Sequence, residues 1–474
     1  MKKRIFAVLV AAIMVLGLAA CGSAPAGDTP ATDPPATDTP ADPNAPTTET
    51  AGTGSLVINL WSFTDEVPNM VARYIELNPA FGERYTINTT IIATTEGAYQ
   101  PALDQALVSG GSDAPDIFAA EAAFVLKYTQ GDMAQFAMPY ADLGIDVQGL
   151  LAQADIAQYT IDIGTNPDGQ LVGLGFQATG GAFIYRRSIA QEVFGTDDPT
   201  EIQNIVGPGW DTFMTAAQKL NDAGYAALSG PGDLWQVVRN TNTTPWVVDD
   251  GGTLTLYIDP AREAFLDMHK TLIENNLTNQ ANAWQDAWFA DMSGTGEREV
   301  FAFMGPAWLI NYVMAGNAGE TYGDWAVTVA PEGFFWGGTW VIANAQGNPE
   351  VRDGVAELIE WITLNSTDDG LQFHWANGTL FADNPTKDSV ASSAVMSRSD
   401  GTVDFLGGQN MFDIFVPAGS YARGDSLSQY DETISQFFMD ASTQYANGEM
   451  SREDALRFFK QQVADNLAVT VNFN

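Results

Sequence analysis

The chain has 474 residues, with 20 Lys and Arg against 59 Asp and Glu, and a formal net charge of −39. So acidic a protein is repelled by phosphate backbones and anionic lipid heads, which argues against nucleic-acid binding. It has one cysteine, Cys21, and two histidines, so no internal disulfide can form and little remains for a thiolate or imidazole zinc site.

Chain order begins with a leader. Lys2, Lys3 and Arg4 precede an apolar run from Ile5 to Leu18. The run is shorter than the roughly 20 apolar residues of a spanning helix and reads as a signal peptide over residues 1–20. It ends in Leu18-Ala19-Ala20-Cys21, which resembles the bacterial lipobox. That resemblance implies cleavage before Cys21 and lipidation of its thiol with palmitate-type chains. Residues 22–54 hold only Ala, Gly, Pro, Ser, Thr, Asp, Glu and Asn, so no core can form there. Residues 21–54 are therefore expected to be a lipidated Cys and a disordered tether. Extended at about 3.1 Å per residue, the tether would reach up to roughly 100 Å.

The remaining chain, roughly 420 residues, is too long for one ordinary core and suggests two domains. It opens with a strand at Ser55–Leu60, then a helix carrying Val67, Met70, Val71, Tyr74 and Ile75 on one face and ending at Asn78-Pro79. A strand at Tyr85–Ala93, a helix at Ala98–Val108, a short strand at Pro115–Ala119 and a helix at Ala122–Tyr128 follow. This β-α-β-α-β alternation predicts a parallel sheet covered by helices, an α/β class. Further on, Asn166-Pro167-Asp168-Gly169 is a turn. Trp210–Leu220, Arg262–Ile273 and Pro349–Leu364 have helical periodicity, with Trp325 on a strand. Two helices close the chain, the second starting at Ser451 with Asp454 three positions on, an approximate capping box.

Several stretches are similar to the family 1 extracellular solute-binding proteins, the group that contains maltose-binding protein and other carbohydrate-binding lipoproteins of ABC importers. They are Trp61-Ser62-Phe63 after the first strand, Tyr99–Asp116, Gly209-Trp210-Asp211-Thr212-Phe213, Phe303–Trp308, Gly337-Gly338-Thr339-Trp340 and Gly448–Leu456. In the Thr339-Trp340 stretch a second adjacent aromatic is replaced by Val341. The resemblance implies a two-lobed periplasmic-binding-protein fold of type II character, with discontinuous lobes and a ligand cleft between them. It places lobe 1 at 55–172 plus 306–368 and lobe 2 at 173–305 plus 369–474, with crossings near 173–176, 304–306 and 368–371. It implies a monomer that captures a carbohydrate outside the cell, held to the membrane through its lipid alone, and hands it to ABC permease subunits without catalysis or cofactor.

A sugar presents a C–H face to aromatic rings and a rim of hydroxyls to carboxyl and amide groups. Among 12 Trp, 14 Tyr and 26 Phe, the stacking candidates are Trp61, Trp235, Trp308, Trp336 and Trp340. Trp61 and Trp340 match the family's binding loops. The polar candidates are Asp65, Glu66, Glu96, Glu121 and Gln177, with Thr179 a weaker one. The four acids sit where strands give way to helices, the usual ligand edge of an open α/β sheet, although a cap on the helix dipole explains such acids equally. His269 and His374 lie among apolar or helical residues and read as structural. Two alternatives stay open. A secreted glycoside hydrolase needs only a suitable pair of carboxyls. The same fold could also hold an amino acid or peptide, for which an arginine such as Arg186, Arg187 or Arg239 would clamp the carboxylate.

Overall fold

The computed structural model describes residues 46–94, 97–241 and 243–473, so the leader, Cys21 and most of the tether lie outside the described residues. The chain opens with β1 (Thr47–Gly52), β2 (Leu56–Ser62), β3 (Tyr85–Ile91), β4 (Ile117–Glu121) and β5 (Gly173–Gly175). It then builds β6 (Ala182–Arg186), β7 (Ala226–Leu228), the hairpin β8 (Val247–Asp250) and β9 (Thr253–Leu256), β10 (Val300–Gly305) and β11 (Trp325–Val329), and returns as β12 (Thr339–Ala343). Among the described residues these strands form a six-stranded sheet in the order β1-β3-β2-β4-β12-β5, a four-stranded sheet β11-β6-β10-β7 and the two-stranded hairpin.

The predicted β-α-β-α-β opening is present. β2 pairs in parallel with β3 and β4, and helices cover the sheet, so Ile58 and Leu60 are fully buried. Helix Glu66–Leu77 turns Val67, Met70, Val71 and Tyr74 inward, the i, i+3, i+4, i+7 stripe of an amphipathic helix. The sheet as a whole is mixed, because β1 runs antiparallel to β3 and β12 runs antiparallel to β4 and β5. One correction falls on the tether. Thr47–Gly52 form a strand along the outer edge of β3, from Thr47 opposite Ile91 to Gly52 opposite Thr86. Composition correctly denied this segment a core. An edge strand, however, is held by backbone hydrogen bonds, and its threonines suit a pleated surface.

The crossings also differ from expectation. Gly173–Gly175 belong to the first sheet, and Met304 and Gly305 belong to β10, paired with Phe183 and Ala182 of β6 in the second. The run Val300–Gly305 is buried throughout, and such an apolar run reads equally well as a connector or a central strand. The chain leaves the first sheet at residues 176–181 and returns at 330–338. β11 therefore lies in the second sheet, not in the lobe expected for residues 306–368. The two connectors pair with each other. Gly181 N donates to Phe334 O at 2.9 Å, and Trp336 N donates to Thr179 O at 3.0 Å. A methyl group on Gly181 would lie 2.0 Å from Phe334 Cζ, so this close approach requires glycine.

No crossing occurs at 368–371 either. Helix Leu371–Ala376 stays packed on the end of the preceding helix, tied in by Gln372 Oε1, which accepts from Ser392 N at 2.7 Å. The third passage is helix Phe412–Tyr421, which touches helix Gln158–Gly164 on one side and β6 and β11 on the other. Helix Asp431–Ala446 then packs on helix Pro260–Glu274, and helix Arg452–Asn466 packs on Asp431–Ala446, with Ile434, Phe438, Phe459 and Val463 in the second core. Ser451 caps the last helix as its sequence predicts, accepting from Asp454 N at 3.1 Å.

Candidate ligand-binding cleft

The paired connectors run between the two sheets, and the segment Asp388–Ser392 lies beside them. Ser389 Oγ donates to Ala178 O at 2.6 Å, Ala391 N to Phe176 O at 2.9 Å, and Gln177 Nε2 to Asp388 Oδ2 at 3.2 Å. From the first sheet, the C-terminal ends of β2 and β4 bring Trp61, Asp65, Glu66 and Glu121 to this floor, the edge where an open α/β sheet presents helix starts. From the second, the short helix Leu309–Met314 that follows β10 brings its N-cap Trp308 together with Asn311 and Tyr312.

These side chains gather in two groups. In the first, the half-buried rings of Trp308 and Trp336 meet edge to face at 4.9 Å, and Trp308 Nε1 donates to Trp336 O at 2.9 Å. Gly337 lies between the walls: a Cβ built on it would be 3.6 Å from Trp308 Nε1 and 3.8 Å from Glu121 Oε1. Glu121 of the first sheet and Trp308 of the second thus flank one glycine. Burial pushes the Glu121 carboxyl up to about 7, against the pull of Ala123 N, which donates to it at 2.8 Å. Glu432 adds to the rise and Arg239 opposes it, these two being paired at 2.9 Å.

In the second group Glu66, Asp388 and Tyr312 feel one another's charge. Glu66 is half-buried at the start of its helix. Burial, then Asp388, then Asp65 push it up to about 8, and no cation among the described residues offsets them. Asp388 is fully buried and rises to about 7 through burial, restrained by donors from Ser389, Gln177 and Asn311. Burial and both carboxylates raise Tyr312. Near neutral pH the Glu66 carboxyl therefore favours its protonated form, able to donate as well as accept, while Asp388 is buried among its own donors.

This arrangement has a pH signature. Folding holds the Glu66 proton more tightly than the unfolded chain does, so its contribution is full below about pH 4.5 and is lost as pH rises toward about 8. Glu66→Gln removes that loss. The variant is expected to melt several degrees above the wild type at about pH 9 and level with it at about pH 4, and a constant offset in the melting curves across that range would contradict the assignment.

Other candidates are placed elsewhere. Trp340 is a correction: it is 1% exposed, with Nε1 donating to Thr160 O at 3.0 Å inside the first core. As a central strand, β12 has all five residues buried, so neither of its faces reaches the cleft. Trp235 is also core, 4.7 Å from the Phe265 ring and 5.1 Å from Phe438. Gln177 is buried and engaged by Asp388, so it positions that carboxyl, and Thr179 Oγ1 likewise holds Gly337 O at 2.8 Å. Asp65 is the N-cap of its helix but makes no capping bond, and it stays exposed beside Glu66. Trp61 ends β2, half-buried, and Glu96 lies outside the described residues. His269 packs in the second lobe, its ring 2.9 Å from Ser442 Oγ, and burial pushes it down to about 4. His374 meets Thr379 Oγ1 at 2.9 Å. Arg186 pairs with Asp324 at 2.7 Å and Arg187 with Asp197 at 3.2 Å; with Arg239 on Glu432, none of the three arginines is free to clamp a carboxylate.

Sequence reading missed Asp388, Asn311 and Tyr312. Asp388 lies in irregular chain without periodicity, and only the fold brings it to the connectors. Tyr312 follows Trp308 by one helical turn, a spacing that could have found it.

Among the described residues, no helix is long and apolar enough to cross a membrane, and no group of three or more His, Cys, Asp or Glu is set to hold a metal ion. No curated protein matches the sequence. Among solved structures, an extracellular solute-binding protein of family 1 superposes with a TM-score of 0.70 at 19% identity, over 86% of this chain and 99% of its own. The galacto-N-biose/lacto-N-biose I-binding protein of an ABC transporter from Bifidobacterium longum, in complex with lacto-N-biose, gives 0.65 at 15% identity, over 89% and 100%. The sugar-binding protein MalE of Xanthomonas citri gives 0.61 at 13% identity, over 86% and 96%. The fold is thus the two-lobed α/β architecture of these proteins. The family model described as bacterial extracellular solute-binding protein matches residues 76–400, and the chain belongs to that family.

Proposed function

We propose that this protein binds a sugar or oligosaccharide in the cleft between its two sheets and delivers it, as a monomer, to the permease of an ABC importer. The observation that carries this reading is the meeting of Trp308 and Trp336 beside Glu121: half-buried indoles that can stack on a pyranose face, next to a carboxyl that can bind its hydroxyls. The sugar ligands named for the structural neighbours, lacto-N-biose among them, support it. Cys21, acylated after removal of residues 1–20, anchors the protein to the outer face of the membrane, and the tether holds the cleft clear of the surface. Cys21→Ser would then release the protein into the medium. Ligand seated on one wall draws in the other, and the permease reads the closed form, which ligand favours by its extra contacts.

The test is a thermal-shift screen of residues 46–474 against mono- and oligosaccharides, amino acids and short peptides, followed by calorimetry. The expected result is stabilisation by one sugar class, with the sugar recovered unchanged. Consumption of the sugar would make the raised carboxyls of the cleft catalytic and the protein a glycoside hydrolase. Stabilisation by an amino acid or peptide alone would overturn the ligand assignment.

A further inference from the structure

Between helix Leu371–Ala376 and helix Phe412–Tyr421 the chain leaves the first lobe and comes back. Residues 388–399 stay on the first lobe: Ser392 bridges Ile156, Ser393 N donates to Asp155 O at 3.0 Å, and Asn377 Nδ2 donates to Ser399 Oγ at 2.8 Å. Residues 400–411 then form a loop closed at its base, where Thr402 bridges Asn410 and Met411 N donates to Gly401 O at 3.0 Å. Met411 and Phe412 return to the first core.

The tip of this loop lies on the second sheet. β11 is an edge strand there, so one of its sides has no neighbouring strand. The Gln409 side chain takes that place. Its Oε1 accepts from Val327 N and its Nε2 donates to Val327 O, both at 2.9 Å, the pair of bonds that a neighbouring strand would make. Phe405, buried, stacks on Trp325 at 6.0 Å and 9°, and Leu406 O accepts from Arg187 Nη2 at 3.3 Å. At the base, Lys387 Nζ donates to Asp400 Oδ2 at 3.1 Å and to Thr402 O at 3.2 Å. The carbonyl of the same Lys387 accepts from Asn311 Nδ2 at 2.7 Å, and the next two residues bond to Gln177 and Ala178 of the outgoing connector. The loop is thus tied at its base to the cleft floor and at its tip to the outer edge of the second sheet.

We infer that residues 400–411 are a strap between the lobes, separate from the connectors, and that it sets their resting arrangement with Gln409 as its catch. β11 runs into the return connector, but the strap grips the outer side of β11, about one strand spacing, roughly 5 Å, away from it. A restraint in line with the connectors is left unstrained by a twist of the lobes. One that lies beside them is stretched by it. A hydrogen bond is lost beyond about 3.5 Å, so the 2.9 Å bonds to Val327 tolerate little displacement. Rotation of the lobes must undo the catch or deform the strap, and either way the strap opposes it.

The test reads the free protein. Cys21→Ser removes the one native thiol, and spin labels at Val108→Cys and Ala223→Cys, exposed sites on the first and second lobes, report the distance between lobes by double electron–electron resonance. With Gln409 intact, one narrow distance is expected. Gln409→Ala is expected to make the distribution at least about twice as wide or to add a second distance. It should also speed exchange of the Val327 amide by at least about tenfold and keep a cooperative melting transition. Should Gln409→Ala fail to fold, Lys387→Met, which frees the base and leaves the catch, is expected to broaden the distance in the same way. A distribution already broad with Gln409 intact would overturn the inference. So would a narrow distance retained in the folded variant while Val327 exchanges faster, which would leave the loop as a cover for the sheet edge. No ligand enters the measurement, so its outcome is independent of the carbohydrate reading.

Discussion

Trp340→Ala is expected to destabilise the protein by about 3–5 kcal/mol while leaving the ligand affinity of the folded fraction unchanged. The ring rises from β12, the strand between β4 and β5, against helix Gln158–Gly164, is 1% exposed, and its Nε1 is spent on Thr160 O. Truncation removes one of the largest fully buried side chains of the first core, leaves a cavity in a sheet that cannot collapse to fill it, and strands a buried carbonyl without its donor. Chemical denaturation should show the loss as a lower midpoint, and calorimetry below the transition should return the wild-type affinity. A drop in affinity with stability preserved would put the ring in contact with ligand and contradict its buried position.

Trp308→Ala is expected to do the reverse: affinity for the tightest sugar falls by tenfold to a hundredfold or more, about 1.5–3 kcal/mol, with a smaller cost to folding. The half-buried indole is held by its bond to Trp336 O and by its edge contact with Trp336, so it meets a ligand already oriented. Trp308→Phe keeps a ring but loses the bond to Trp336 O, and its affinity should fall between the other two. Titration calorimetry on the three proteins decides the matter. Equal affinities would mean that the ligand stacks elsewhere in the cleft.

The contrast between these two tryptophans marks what the sequence could and could not disclose. Local periodicity revealed the opening strands and helices because each buries one face or is covered on both, and alternation or an i, i+3, i+4 stripe records that directly. A residue's distance from a strand end records nothing about which layer covers it, so Trp340 and Trp235 looked as available as Trp308 and Trp336. Glu66 and Glu121 were legible because a strand leading into a helix fixes where its first carboxyl must lie. Asp388 was not, since it joins the site through contacts with Gln177 and Asn311 more than 70 residues away in sequence. β1 escaped because its stability comes from main-chain bonds to β3, to which composition is blind. The crossings were misplaced for a related reason: the buried run Val300–Gly305 carries no mark distinguishing a central strand from a connector.

The two connectors are bonded to each other, Gly181 to Phe334 and Thr179 to Trp336, and this makes them mechanically one ribbon. Two separate strings would allow the lobes to tilt, slide and rotate independently. A laddered ribbon resists shear and bending in its own plane and yields most readily by twisting about its length, and helix Phe412–Tyr421 forms a third passage alongside it. Trp336 is part of that ribbon, and its carbonyl holds Trp308. Any twist must therefore reorient the Trp308–Trp336 pair, which couples the torsion of the linkage to the shape of the surface it carries.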